Sequence, residues 1–167
     1  MKKMTEQYLK ESFAGESQAH VKYLAFAERA ERDGLANTAR LFRAASFAEQ
    51  VHAFAHFKTL NGVGTTAENL ATAFGGETYE VEEMYAAYIA VAKAQEEAKA
   101  LRSFERAREA EQVHAALYSR AQKAAETGRD TEMGTVSVCP VCGYTHEGDA
   151  PDVCPLCGTK KEKFVTF

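Results

Sequence analysis

Two identical hexapeptides, Ala48-Glu49-Gln50-Val51-His52-Ala53 and Ala110-Glu111-Gln112-Val113-His114-Ala115, stand 62 positions apart. On an α-helix, Glu-x-x-His places a carboxylate and an imidazole on one face, with Cβ atoms roughly 5–6 Å apart. Two such pairs, joined by one Glu from each of two further helices, make the ligand set of carboxylate-bridged two-metal bundles. The further acids are in register: Glu16 precedes Glu49 by 33 positions, and Glu80 precedes Glu111 by 31. Glu83 follows Glu80 by one turn. The order Glu, Glu-x-x-His, Glu, Glu-x-x-His is that of two fused helical hairpins.

A single helical Glu ordinarily faces water, because carboxylates are rarely buried unless paired. Here the neighbours at helical spacing are apolar. Leu9, Phe13, Glu16 and Tyr23 share one stripe; Phe42, Ala45, Glu49, His52 and Ala53 share a second; Phe104, Ala107, Glu111, His114 and Tyr118 share a third. Five acids and two imidazoles aimed into a helical core would be strongly destabilising without cations. Five carboxylates carry about −5, so two divalent ions leave about −1 and two trivalent ions about +1, and both oxidation states are tolerated. Oxygen-rich ligands with two imidazoles suit iron or manganese.

A second constellation lies at the C-terminus. Cys139-Pro140-Val141-Cys142-Gly143-Tyr144 and Cys154-Pro155-Leu156-Cys157-Gly158 are two Cys-x-x-Cys knuckles, and they use all four cysteines of the chain. Four thiolates so arranged make a tetrahedral sulfur site for zinc or iron. The Gly after each pair permits a tight turn that turns backbone N–H groups toward sulfur. Two disulfides in a secreted module are the rival reading.

These residues require long helices followed by a small module. Helical periodicity runs over residues 5–33 and 35–60, with Gly34 as the break and Thr5 as a candidate N-cap. Asn61 to Thr66 reads as a loop, with Thr66 capping a third helix over 67–94 that contains Gly75-Gly76. A fourth helix runs to about Ala125. Ala90 to Ala100 is good helix former throughout, so no break between the last two helices can be placed. Thr127 to Gly134 reads as a linker, after which Cys, Pro and Gly concentrate. The 167 residues are 46% hydrophobic, with 3 Pro and no Trp, which suits close-packed helices. A net charge of −4 argues against nucleic acid as a partner. No apolar run of 18 residues predicts a membrane span, and the first residues do not read as a secretory signal, so a cytoplasmic protein is expected.

The chain resembles the rubrerythrin family over nearly its whole length. Residues 1–130 resemble the ferritin-like di-iron domain, an all-α four-helix bundle, and residues 135–167 the small rubredoxin-like metal-binding domain. The stretch Gly76-Glu77-Thr78-Tyr79-Glu80-Val81-Glu82-Glu83-Met84-Tyr85 resembles the family's third-helix signature, with Ala86 where the family usually has Pro. The resemblance implies that Glu49 and Glu111 bridge two irons, that Glu16 binds the first, and that Glu80 and His114 bind the second. It implies that the first iron exchanges Glu83 for His52 with redox state, making these two the catalytic pair. Tyr23 and Tyr88 match family tyrosines near the site. His20 and His56 are expected to be solvent-facing or to brush the site, and His146 to be at the surface.

The implied cofactors are a di-iron centre and one iron in the site of Cys139, Cys142, Cys154 and Cys157, where zinc is possible in recombinant material. The implied activity is a peroxidase that reduces hydrogen peroxide to water in oxidative-stress defence. Electrons would come from NADH through separate reductases or a rubredoxin. No Gly-x-Gly-x-x-Gly fingerprint for the nucleotide is present. A homodimer or higher homo-oligomer is expected, with no membrane partner. Two rival functions are a ferroxidase or iron-storage protein and a structural zinc-binding protein.

Overall fold

The computed structural model describes residues 1–167. The chain divides into two compact units, Met1–Gly64 and Thr65–Phe167. No helix is long and apolar enough to cross a membrane.

The first unit is a hairpin of two helices, α1 (Lys3–Arg32) and α2 (Ala36–Thr59). The sequence break at Gly34 is realised as a Schellman stop. Gly34 takes φ 75°, its N–H donates to the Glu31 carbonyl, and the Leu35 N–H donates to the Ala30 carbonyl. Only small residues are fully buried here: Ala27, Ala30, Ala39, Ser46 and Ala53. They let the two backbones approach closely. His20 closes the hairpin. Its Nδ1 lies 2.9 Å from the Ser46 hydroxyl and 3.0 Å from the Ser46 carbonyl, while that hydroxyl donates to the His20 carbonyl at 2.9 Å. His20 is therefore a brace between α1 and α2 rather than a solvent-facing side chain.

The second unit begins with α3 (Thr66–Tyr79). A π-helical turn (Glu80–Met84) carries it without a break into α4 (Tyr85–Ala94), and α5 (Ala98–Glu126) returns alongside. Two N-terminal expectations are corrected. The α3 cap is Thr65, not Thr66: Thr65 Oγ1 accepts from the Glu68 N–H, and the Glu68 carboxylate accepts from the Thr65 N–H, a complete capping box. Thr5 lies inside α1, which starts at Lys3 with no side-chain cap. The break that the sequence left open falls at Gln95–Glu97. Glu96 adopts φ 57°, and the Glu97 N–H reaches the Ala92 carbonyl, another Schellman stop. A non-Gly residue in the left-handed region gives no sequence signal.

Beyond α5, a three-stranded antiparallel sheet forms in the order β2-β1-β3, from β1 (Val136–Val138), β2 (Thr145–Glu147) and β3 (Val165–Thr166). It belongs to the same compact unit as α3–α5, and β2 lies against α5. Compactness therefore divides the chain at the loop before α3, while the composition changes only after α5. The reason is local: α1 and α2 pack on each other, and the cysteine module packs on α5.

Candidate metal centres

Three groups of side chains converge closely enough to share an ion. They are Glu16, Glu49 and His52 in the first unit; Glu77, Glu111 and His114 in the second; and the four cysteines. Within each group the candidate ligand atoms lie within 4.8 Å of one another.

In the first group, α1 supplies Glu16 and α2 supplies Glu49 and His52. His52 Nδ1 lies 3.1 Å from Glu49 Oε2, the pairing expected of Glu-x-x-His. Glu16 and Glu49 share a hydrogen bond, which raises the pKa of Glu16 and lowers that of Glu49; His52 adds to the lowering. Two carboxylates held this way keep one proton between them in the absence of a cation. His56 faces the same acids, its charge acting on Glu16.

In the second group, α5 supplies Glu111 and His114, with His114 Nδ1 2.6 Å from Glu111 Oε2. The α3 acid that joins them is Glu77, which the sequence reading quoted but did not choose. Burial, followed by the hydrogen bond and charge of Glu111 and the charge of Glu80, pushes Glu77 up to about 7. Glu80 sits beside this group: burial and Glu111 raise its pKa while His114 lowers it. Glu83 lies exposed on the π turn and belongs to neither group.

The π turn accounts for this difference. It inserts about one residue into the helix and so shifts its phase by about 100°. In an unbroken α-helix Tyr88, eleven positions after Glu77, would lie within about 20° of it, and Tyr85 about 80° away. With the extra residue the order reverses. Tyr85 feels burial first, then the charges of Glu80, Glu111 and Glu77, and its pKa is raised. Tyr88 is exposed and packs edge-on against Tyr85. Arg108 of α5 supports the turn, its Nε donating to the Val81 carbonyl at 2.9 Å. Tyr23 packs with Phe26 and Phe42 in the first unit.

The cysteine group has the geometry of a metal cage. Cys139 Sγ lies 3.5 Å from Cys157 Sγ, and Cys142 Sγ lies 3.6 Å from Cys154 Sγ. A regular tetrahedron with bonds of about 2.3 Å has edges of about 3.8 Å, whereas a disulfide needs about 2.05 Å. All four cysteines are free, and Cys139 and Cys154 are buried. Each knuckle turns as the sequence suggests: Gly143 and Gly158 take φ 78° and 77°, and their N–H groups donate to the Cys139 and Cys154 carbonyls. Burial pushes the Cys142 thiol up. Burial acts in the same direction on Cys157, but the Thr159 hydroxyl and backbone N–H outweigh it and hold that thiol at about 6. The cage therefore favours one thiolate readily and four only around a cation. His146 stacks on Tyr144 at the side of this module.

Paired Glu-x-x-His groups on long helices, with a four-cysteine module behind them, define a class of multi-metal helical proteins. The rubrerythrin family model matches residues 7–122, and the model of the rubrerythrin rubredoxin-like domain matches residues 138–165. Rubrerythrin-2 of Clostridium acetobutylicum is 39% identical over 178 residues, covering 98% of this chain and 97% of that protein. Nigerythrin of Nitratidesulfovibrio vulgaris is 34% identical over 177 residues, covering 98% and 86%. The solved structure of fully reduced, all-ferrous nigerythrin matches with 33% identity and a TM-score of 0.57, covering 98% of this chain and 86% of that one. This chain belongs to the rubrerythrin family. Its fold class is all-α, four-helix and ferritin-like, followed by a small rubredoxin-like domain. The family is one of oxidoreductases, and the donor sets fit its di-iron and four-cysteine iron cofactors.

Glu77 yields a pH prediction. Its carboxyl rises from 4.5 to about 7 on folding without metal. Between these values the folded chain holds a proton that the unfolded chain has released, so this contribution to stability is full below pH 4.5 and disappears by about pH 7. In urea unfolding of the metal-free protein, wild type loses stability over that interval relative to Glu77→Gln. Saturating metal, which replaces the proton, removes the difference. Parallel pH curves for the two metal-free proteins contradict the assignment.

Proposed function

We propose that the protein is a non-haem di-iron peroxidase that reduces hydrogen peroxide to water. The observation that carries this reading is the presence of carboxylate–imidazole groups and a sulfur cage in one chain. The two carboxylate–imidazole groups together offer the ligand set of a di-iron centre, and iron held there supplies two electrons to peroxide. The four-cysteine site offers no open position when its four thiolates bind iron, so its role is to pass electrons one at a time.

The chain's own residues then divide the work. Glu49 and Glu111 are the acids adjacent to the histidines and serve as bridging ligands. Glu16 serves the first metal, and Glu77 and His114 the second. The exchange partner of His52 is assigned to Glu80 rather than Glu83, because Glu80 faces the ligand cluster while Glu83 is exposed. An anionic carboxylate favours the higher oxidation state, and a neutral imidazole suits the lower. The Tyr85 hydroxyl, beside three acids, is placed to donate a hydrogen bond to a ligand carboxylate or to bound peroxide.

NADH-linked reductases or a rubredoxin are the electron donors in this reading. Four free thiols suit the cytoplasm, where they stay reduced. A homodimer or larger homo-oligomer is also part of the reading. Its support is the run of exposed Leu24, Phe47, Val51 and Phe54 on the α1–α2 hairpin, which makes a large apolar surface for a solvated monomer. A monomer by sedimentation contradicts that part.

Iron storage is the rival function, and the electron-carrying cysteine module argues against it. The two are separated by supplying reduced rubredoxin as donor and measuring peroxide consumption beside iron accumulation per chain. The account expects turnover without accumulation. It expects Glu77→Ala to lose at least about 100-fold in peroxide turnover, since loss of a ligand exceeds the 10–100-fold typical of a supporting residue, and Glu83→Ala to stay within about threefold. The opposite ranking contradicts the ligand assignment, and iron accumulation without peroxide turnover contradicts the peroxidase reading.

A further inference from the structure

The cysteine module touches the helical part of its own chain at a chemically specific point. His114 Nε2 lies 2.7 Å from Thr145 Oγ1 on β2. Thr145 is 5% exposed, and its hydroxyl also lies 3.1 Å from the Gly143 carbonyl. A carbonyl can only accept, so when the single hydroxyl proton goes to Gly143, Oγ1 is left to accept from Nε2–H. That arrangement fixes the proton on Nε2 and leaves the Nδ1 lone pair facing Glu111 and Glu77. A metal-binding histidine is commonly oriented in this manner, through its distal N–H. Here the acceptor is a side chain of the four-cysteine module.

The contact lies at one end of an apolar cavity of about 410 Å³, whose walls include Leu70, Leu117, Tyr118, Met133 and Val138. Apolar walls keep competing water from the hydrogen bond and strengthen it. A second tie flanks it. Arg120 of α5 pairs with Glu147 of β2 at 2.6 Å, and the other Glu147 oxygen accepts from the Gly134 N–H at 3.2 Å. Gly143 directly follows Cys142, so two hydrogen bonds join a cysteine knuckle to the imidazole of the helical site.

We infer that Thr145 is a positioning residue that holds His114 for metal through Nδ1 and seats the cysteine module on α5 of the same chain. The assignment rests on the reading of His114 as a ligand, and the test separates the two. Zinc is the redox-silent probe, added to the full-length chain. Thr145→Val removes the acceptor and keeps the shape; Thr145→Ser keeps the acceptor. Wild type shows an exchange-protected Nε2–H proton resonance for His114 by NMR. Thr145→Val loses that resonance and weakens zinc binding at the carboxylate–imidazole site about 10-fold or more, and Thr145→Ser retains both. A Thr145→Val protein that keeps the resonance and binds zinc within twofold of wild type overturns the role of Thr145. Zinc binding in wild type that leaves the His114 resonances unmoved overturns instead the reading of His114 as a ligand. Cysteine-site zinc, followed by cobalt replacement spectra, reports that the module remains folded in each variant.

Discussion

Like-charged ligands gathered in partly buried space are the constraint on which the structure turns. Glu77 and Glu80 are driven toward protonation by burial and by Glu111, and Glu16 by Glu49. The thiols repeat the problem, with Cys157 held low and Cys142 pushed high within one cage. Protons relieve this repulsion in part. Cations relieve it fully, and they are bound by the same atoms that repel each other without them. A chain that keeps three such clusters has given up stability in the metal-free state to hold metal.

The scaffold answers with rigidity where the ligands sit. Long helices fix Glu-x-x-His pairs by their pitch alone. Schellman stops at Gly34 and Glu96 end the helices sharply, so each hairpin returns its second helix alongside the first. The π turn rotates Tyr85 toward the acids, and Arg108 satisfies a carbonyl within it. His20 and Ser46 lock α1 to α2 near the first group, and Thr145 ties β2 to His114 near the second. Each of these is a polar bond in partly buried surroundings, where a missing partner leaves a desolvated group and costs about 1–3 kcal/mol.

Much of this was readable from the chain. The hexapeptide repeat located Glu49, His52, Glu111 and His114 on helical faces, because an α-helix has one fixed period. Glu16 followed from the spacing of the hairpins, and the cysteine cage from its knuckles. What failed was the third helix. Glu77 was passed over for Glu80 and Glu83, and Tyr85 for Tyr88, because a π turn changes the phase and leaves no compositional mark. The stop at Glu96 was invisible for a related reason, since left-handed backbone is normally signalled by Gly or Asn. The Thr145–His114 contact joins residues 31 positions apart and depends on how a sheet seats on a helix, which periodicity does not encode.

The central claim is that the convergent acids, imidazoles and thiols are metal ligands. Anaerobic reconstitution with ferrous iron, followed by counting iron per chain and recording Mössbauer and visible spectra, tests it most directly. The account predicts three irons per chain: one tetrathiolate iron, coloured when oxidised, and two in oxygen–nitrogen coordination that couple magnetically on oxidation. One iron per chain, with only the tetrathiolate signal, would contradict it.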